Sequence, residues 1–342
     1  MTAVSGPAAA LLVVNPRAGG SRAGRIAHRA AALIEATGCR LTVHWTADAA
    51  DAHTAARATD ADWCICLGGD GTLQSVAQGL WAGGAGTALV PLPAGRGNDL
   101  CGALGLPRDP LSVLRAVLAH PRSMRLDALH VTPADRLVLG VVSIGIDAAA
   151  NALVEQAQRT GRGVLARLTG APLYAGAALL ALRTWRGLPL HLAQPAGTPA
   201  SPTPAGTPAS PTPAGMDLSD VWVCAVSNSG RYGGGMRISP ASQPDDGCYE
   251  VVLITQIGAP AFLRTFPRVF TGGHVHHRRV QVLAGQSRPI SITLGSAAAP
   301  EAVSPVPAFG DGEPLGQLPL QIALLPGVIE VILPDSAPPL RP

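Results

Sequence analysis

The chain has 342 residues, a formal net charge of +3, an apolar fraction of 47%, and 40 glycines beside 32 prolines. That length accommodates two domains of ordinary size, while a small, scattered basic excess and an aromatic content of 4% argue against a nucleic-acid surface. The six cysteines stand at no metal-ligand spacing, which argues against a zinc framework and for reduced, buried thiols.

The N-terminal apolar run has no basic region before it and stops at Asn15-Pro16, so no signal peptide is expected. The uncharged stretch 72–95 is broken by Gly83-Gly84, Gly86, Pro91 and Pro93, and 168–182 is short and holds Pro172. The expectation is a cytoplasmic chain with no membrane span.

In chain order, Leu11–Val14 predicts a strand ending in Asn15-Pro16-Arg17-Ala18-Gly19-Gly20, followed by a helix with Ile26, Ala30, Leu33 and Ile34 on one side. Leu41–Trp45 is the next strand, Thr54–Ala58 sits in a short helix, and Trp63–Leu67 reads as a buried strand. The turn Gly68-Gly69-Asp70-Gly71-Thr72 follows, then a helix to Leu80 and a strand at Ala88–Leu92. Such alternation implies a parallel sheet with helices on both faces, and ligands bind such sheets at the carboxyl ends of the strands. Three expected strand ends carry loops: 15–20, 68–72 and Pro93-Ala94-Gly95-Arg96-Gly97-Asn98-Asp99. Their convergence at one edge is the central structural expectation.

Beyond about residue 130 the pattern changes. A long strand over Leu137–Ile146 and two helical segments across Ala148–Thr184 are expected first. Strands follow at Leu188–Leu192, Val221–Ser227, Tyr249–Thr255, Val280–Leu283, Ile290–Leu294, Leu320–Leu324 and Val328–Leu333, with one helix at Ala261–Phe270. The reading is a largely antiparallel sandwich. The repeat GTPASPTPA at 197–205 and again at 206–214 predicts an extended surface loop within 195–215. The fold class is therefore an α/β domain over 1–130 with a Rossmann-like parallel sheet, then a β-sandwich domain over 131–335.

Glycines between a strand end and a helix start let backbone N–H groups approach a phosphate, where the helix dipole also favours negative charge. Asp70 in such a turn suits a metal, water or hydroxyl better than a bare phosphate. The 15–25 segment shadows a P-loop, but Arg25 and Ile26 stand where Lys and a hydroxyl are needed, so that class is rejected. Arg17, Arg22 and Arg25 remain candidate phosphate partners. Asn98 or Asp99 is placed to cap a helix running through Leu104, and Asp127 reads either as a satisfied structural acid or as part of a carboxylate–water–Mg²⁺ network. Asp311-Gly312-Glu313 offers a proton acceptor across a cleft from Asp70, and Asp245-Asp246-Gly247 suits a hard cation or an ordinary turn. His274, His276 and His277 beside Arg278 and Arg279 read as a solvated basic patch facing anionic headgroups.

Together these motifs make the chain resemble bacterial lipid kinases of the diacylglycerol kinase catalytic-domain superfamily, which includes sphingosine and ceramide kinases and, more distantly, NAD kinases. The residues that carry it are 15–19, 68–72, 93–99, Gly145-Ile146-Asp147, Gly233-Gly234-Gly235-Met236-Arg237, 245–247 and 311–313. The resemblance implies ATP and Mg²⁺ in a cleft between the two domains, with a lipid hydroxyl as acceptor at a membrane surface that the enzyme visits transiently. Nucleotide contacts carry over to Asn15, Pro16, Arg17, Ala18, Gly19, Thr46, Gly68, Gly69, Asp70, Gly71, Thr72, Leu73, Gln74 and Ser75. Arg96 stands where the family usually has Thr, and is expected among the nucleotide contacts as an Arg that reaches phosphate. Glu313 or Asp311 would be the base, with Asp70 among the catalytic acids. Asp70, Asp99 and Asp127 would organise catalytic Mg²⁺, and Gln243, Asp246 and Cys248 would hold a structural Mg²⁺, Gln243 and Cys248 through backbone oxygens. Diacylglycerol, a related glycerolipid and a sphingoid base are the acceptors in view, and a homodimer is compatible. The alternatives are phosphorylation of a soluble metabolite in the manner of NAD kinases, or a nucleotide-binding regulator without turnover.

Overall fold

The computed structural model describes residues 2–84, 86–165, 171–194, 215–295 and 306–338. After a short β1 (Thr2–Ala3), the N-terminal region alternates β2 (Ala9–Val14), α1 (Ala18–Glu35), β3 (Arg40–Trp45), α2 (Ala49–Arg57), β4 (Trp63–Gly68), α3 (Asp70–Gly83) and β5 (Ala88–Pro93). The helices α4 (Asp99–Ala103) and α5 (Pro110–Ala119) follow. Strands β3, β2, β4 and β5 lie side by side and parallel. Every residue of β4 and β5 is buried, the pattern of a parallel sheet covered by helices on both faces. Local chemistry sets the helix ends. The side chains of Asp48 and Asp109 accept from the amides of Asp51 and Ser112 at the starts of α2 and α5, and Gly84, in the left-handed region, ends α3.

The second half comprises β6 (Pro121–Thr132), β7 (Arg136–Val138), β8 (Val141–Gly145), α6 (Ile146–Thr160), α7 (Ala171–Thr184), β9 (Leu188–Ala193), β10 (Gly215–Ser227), β11 (Arg231–Tyr232), β12 (Met236–Arg237) and β13 (Tyr249–Thr255). The remaining elements are α8 (Ala259–Thr265), 3-10 turns at Phe266–Phe270 and Gly273–His276, β14 (Val280–Gln286), β15 (Ile290–Leu294), β16 (Pro307–Gly310), β17 (Glu313–Gln317) and β18 (Leu320–Pro334). The strands pair antiparallel around a core that includes Leu129, Ile144, Leu192, Val226, Val251 and Ile322. A third cluster lies between α6, α7, α8 and the outer side of β10 and β13, through Ala177, Trp222, Val223 and Ile254.

Strand β18 joins the halves. Its first part pairs with β15 and, throughout, it runs antiparallel to β6; Val331 then pairs parallel with Leu89 of β5. Ile329, Val331, Ile332 and Leu333 accordingly pack in the N-terminal core.

The structure adds α5 and the β11–β12 pair to the expected elements, starts β10 six residues early, and departs further as follows. The single strand expected over 137–146 is broken at Leu139-Gly140, because the amides there turn toward Asp311. The two strands expected over 320–333 are one, β18, with a bulge against β6 between Leu325 and Ile329. The helix expected over 261–270 stops at Thr265, since Pro267 supplies no amide for continuation, and goes on as a 3-10 turn. Strands β16 and β17, which carry the Asp311-Gly312-Glu313 turn between them, were not expected. The repeat at 197–214 lies outside the described residues.

Candidate active site

The three glycine-bearing loops meet at the carboxyl ends of β2, β4 and β5. Gly19, Gly20 and Ser21 all have positive φ (58°, 68° and 68°), which folds the start of α1 back on itself. A Cβ on Gly19 would stand 2.2 Å from the carbonyl oxygen of Ala94, so the first loop lies directly on the third. The second and third loops touch backbone to backbone: a Cβ on Gly95 would be 2.5 Å from Cα of Gly69. Asn15 Nδ2 donates to Thr72 Oγ1 at 2.8 Å, while Asn15 Oδ1 accepts from the Arg17 amide at 3.0 Å. The backbone ladder of α3 begins with the Leu73 amide donating to Gly69, which leaves the amides of Gly71 and Thr72 ahead of it at the positive end of the helix dipole.

Asp70 stitches the second loop to the third. Its two carboxylate oxygens accept from the amides of Asn98 and Asp99, at 2.7 and 2.6 Å. Asp99 continues the chain of contacts by accepting from the amides of Gly234 and Gly235 at 2.7 and 2.6 Å. Burial pushes the Asp99 carboxyl up, and the charge of Asp70 adds to the effect. A Cβ on Gly97 would meet Asp70 Oδ2 at 2.7 Å and Asp99 Oδ2 at 3.5 Å, so the two acids flank one glycine.

Asp311 and Glu313 arrive from the other half and part company. Asp311 accepts from the amides of Leu139, Gly140 and Val141 at 2.9–3.0 Å, and is held at φ 50° to do so. Burial pushes its carboxyl up to about 6 against the pull of those donors. Glu313, partly exposed, points at the glycine turn: its Oε1 lies 3.3 Å from where a Cβ of Gly71 would be. Of the pair, Glu313 faces the glycine turn, while Asp311 clamps the backbone of 139–141.

Several expected nucleotide contacts turn elsewhere. Leu73 packs in the N-terminal core. The Gln74 amide donates to the Leu137 carbonyl while Gln78 accepts from the Leu137 amide, so the pair ties α3 to β7. Thr46 is buried, its amide donating to Val14 at 2.9 Å. Thr72 stays in the loop cluster, and a Cβ on Gly68 would collide with it. Ser75 Oγ donates to Gly71. Pro16 and Ala18 continue the first loop, with Pro16 against Gly24. Arg17 reaches the Ala47 carbonyl at 2.8 Å, Arg22 pairs with Asp109 at 3.0 Å, and Arg25 reaches Gly20 at 3.3 Å. Arg96 is exposed on the third loop. Asn98 occupies the first-cap position of α4 at φ 55°, but its side chain bonds Gly95 instead; Asp70, from another element, satisfies the helix start.

Asp127 belongs to a second cluster. Its oxygens accept from the amides of Gly247 and Gly327, both at 2.7 Å, and its own amide donates to Pro244. The structure therefore separates it from the Asp70–Asp99 pair and gives it the loop of Gln243, Asp245, Asp246 and Cys248. In that loop the Cys248 amide donates to Asp246 at 3.0 Å, and Asp245 Oδ1 is buried without a partner. Burial, helped by neighbouring carboxylates, pushes the Cys248 thiol up to about 11, so only its carbonyl suits a hard cation. Among the described residues no three His, Cys, Asp or Glu side chains converge on a common point. His274 is fully buried and donates from Nε2 to Ile238 at 3.0 Å, which corrects the reading of 274–279 as wholly solvated.

Some participants carried no role in the sequence reading. Gly140 is one; a glycine beside a strand marks a close backbone approach, and here a Cβ would stand 2.2 Å from Asp311 Oδ1. Gly234 and Gly235 belong to a motif that carries the resemblance, but their contact is given only by the structure, where Asp99 takes their amides.

A family model described as the YegS C-terminal NAD kinase beta sandwich-like domain matches residues 140–333, and the diacylglycerol kinase catalytic domain matches 9–131. The chain is 25% identical to a diacylglycerol kinase of Mycobacterium tuberculosis over 328 residues, covering 94% of each. It is 26% identical to a YegS-like lipid-kinase relative from Pseudomonas aeruginosa over 277 residues, covering 81% of this chain and 78% of the other. A solved structure from Bacillus anthracis strain Sterne shares the fold with a TM-score of 0.72 at 19% identity, covering 98% of this chain and all of that one. A diacylglycerol kinase structure from the same organism gives 0.64 at 18% identity, with the same coverage.

Proposed function

We propose that this chain, which belongs to the diacylglycerol kinase superfamily of bacterial lipid kinases, transfers the γ-phosphoryl group of ATP to a lipid hydroxyl, with diacylglycerol as the first acceptor to test. The observation that carries the reading is the meeting of Glu313 with the glycine turn at Gly71, beneath three interlocked loops. Little covalent work is asked of a phosphotransferase beyond alignment, charge neutralisation and removal of one proton.

In this reading the free amides at the start of α3 and the folded-back 15–21 loop receive the phosphates. Glu313 accepts the hydroxyl proton as the oxygen attacks the γ-phosphorus, and the bond from that phosphorus to the bridging oxygen breaks to release ADP. Asp311 keeps the 139–141 backbone, and with it the β16–β17 turn that presents Glu313, in place. Mg²⁺ is assigned to two positions in this reading. Asp70 and Asp99 offer adjoining carboxylates whose remaining lone pairs would hold a catalytic ion, which supplies charge neutralisation on the phosphates. Asp246, the carbonyls of Gln243 and Cys248, and the partnerless buried oxygen of Asp245 would hold a structural ion.

The test is incubation with γ-labelled ATP, Mg²⁺ and either a mixed lipid extract or NAD. The expected result is label in a chloroform-soluble phospholipid. Label confined to NADP would favour the soluble-metabolite reading, and ATP binding without any labelled product would favour a regulator.

A further inference from the structure

Residues 251–300 contain five arginines and three histidines but no Asp or Glu, in a chain whose totals are 25 basic and 22 acidic residues. Three of the chain's four phenylalanines fall in the same stretch. Phe262, Phe266 and Phe270 recur every four residues, and consecutive ring centroids lie 6.1 Å apart. The innermost, Phe262, stacks on Trp222 at 5.4 Å. The outer ones stand in water: Leu263 is 49% exposed, Phe266 37% and Phe270 47%. Arg264 and Arg268 repeat at the same four-residue spacing, and both are exposed, as are His276 and Arg278 from the next turn. Arg264, Arg268 and Arg278 have no ion pair among the described residues.

This face is packed onto the fold. Val269 is buried beneath it, Gly272 lies against Pro240, and His274 holds the Ile238 carbonyl. Segment 236–240 is in turn the continuation of Gly234 and Gly235, whose amides are held by Asp99 at the candidate active site. Apolar rings fringed by unpaired arginines match the boundary between headgroups and acyl chains of an anionic bilayer, where aromatic side chains enter and cations remain at the phosphates.

From this we infer that α8 and the 3-10 turn Phe266–Phe270 form a docking surface for an anionic membrane, seated beside the loop that Asp99 anchors. The inference deepens the lipid-kinase reading and rests on it for its purpose, but its test requires no turnover. The whole protein is sedimented without ATP with vesicles of phosphatidylcholine alone or of phosphatidylcholine mixed with phosphatidylglycerol. Wild type should pellet with the mixed vesicles and lose binding at high salt. The triple variant Leu263→Ser, Phe266→Ser, Phe270→Ser should bind at least about tenfold more weakly, since each side chain withdraws apolar area from water on insertion. The pair Arg264→Glu, Arg268→Glu, which leaves the rings intact, should abolish the preference for phosphatidylglycerol. Phosphorylation of a water-soluble short-chain diacylglycerol should be unchanged in both variants. Docking without any lipid phosphorylated would uphold the surface and defeat the kinase reading. Absence of binding by wild type, or equal binding by wild type and the arginine pair, would overturn the proposal. So would a dimer in sedimentation velocity that the triple variant splits while vesicle binding persists, because the face would then cover a second copy.

Discussion

Asp311 accepts three backbone amides, and burial pushes its carboxyl up to about 6, with the charge of Asp70 contributing. Replacement by Asn removes one acceptor and sets an NH2 group against a backbone N–H. Asp311→Asn should therefore lower stability by about 1–3 kcal/mol in urea unfolding. The pH dependence has a definite sign. With the folded value near 6 and the unfolded one near the ordinary carboxylate range of about 3.9, the folded state binds the extra proton between them. The contribution of Asp311 is thus fully present at low pH and lost as pH rises through about 6. Urea midpoints for Asp311→Asn should show a smaller decline over that window than wild type, and an identical decline would contradict the assignment. The motif Asp-Gly-Glu was legible in the sequence as a pair of acids. Which one is the clamp was not, because the choice depends on Gly140 and its neighbours, 170 or more positions away.

At the scale of elements, the interlocking of loops is a matter of glycine contacts. Gly95 sits on Gly69 with no room for a methyl group, whereas Gly20, also in the first loop, has open space around it. Gly95→Ala should push the second and third loops apart and lower kcat/KM for ATP by about 10²-fold, the scale of a misplacement near 1 Å. Gly20→Ala meets only the left-handed backbone penalty, about 1 kcal/mol, and should keep most activity. Comparable losses in the two variants would mean that loop contact is not what organises the site. The α/β order, the three loops and their convergence were readable because short apolar runs ending in glycine report strand ends locally. The break at 139–140, the fusion of β18 and the roles of Gln74 and Asp127 were not. Each is decided by a partner far along the chain: Asp311, β6, Leu137, and the amides of Gly247 and Gly327.

Across the whole molecule, β18 binds the halves by pairing with β15 and β6 and then with β5, while Gln74 and Gln78 grip β7. The second half is thereby fixed in register with the glycine loops, and the β16–β17 turn delivers Glu313 to Gly71. No helix among the described residues is long and apolar enough to cross a membrane. The exposed phenylalanine face offers the route by which such a chain would meet a lipid acceptor. The proposed function has the two halves complete one phosphotransfer site with Glu313 as its base. Its most direct measurement is the rate of labelled phospholipid formation by Glu313→Gln and wild type at saturating ATP and Mg²⁺, with melting temperature and KM for ATP measured alongside. The expected kcat is lower by about 10²–10⁴-fold, with melting and KM essentially unchanged. A variant that turns over at nearly the wild-type rate would contradict it.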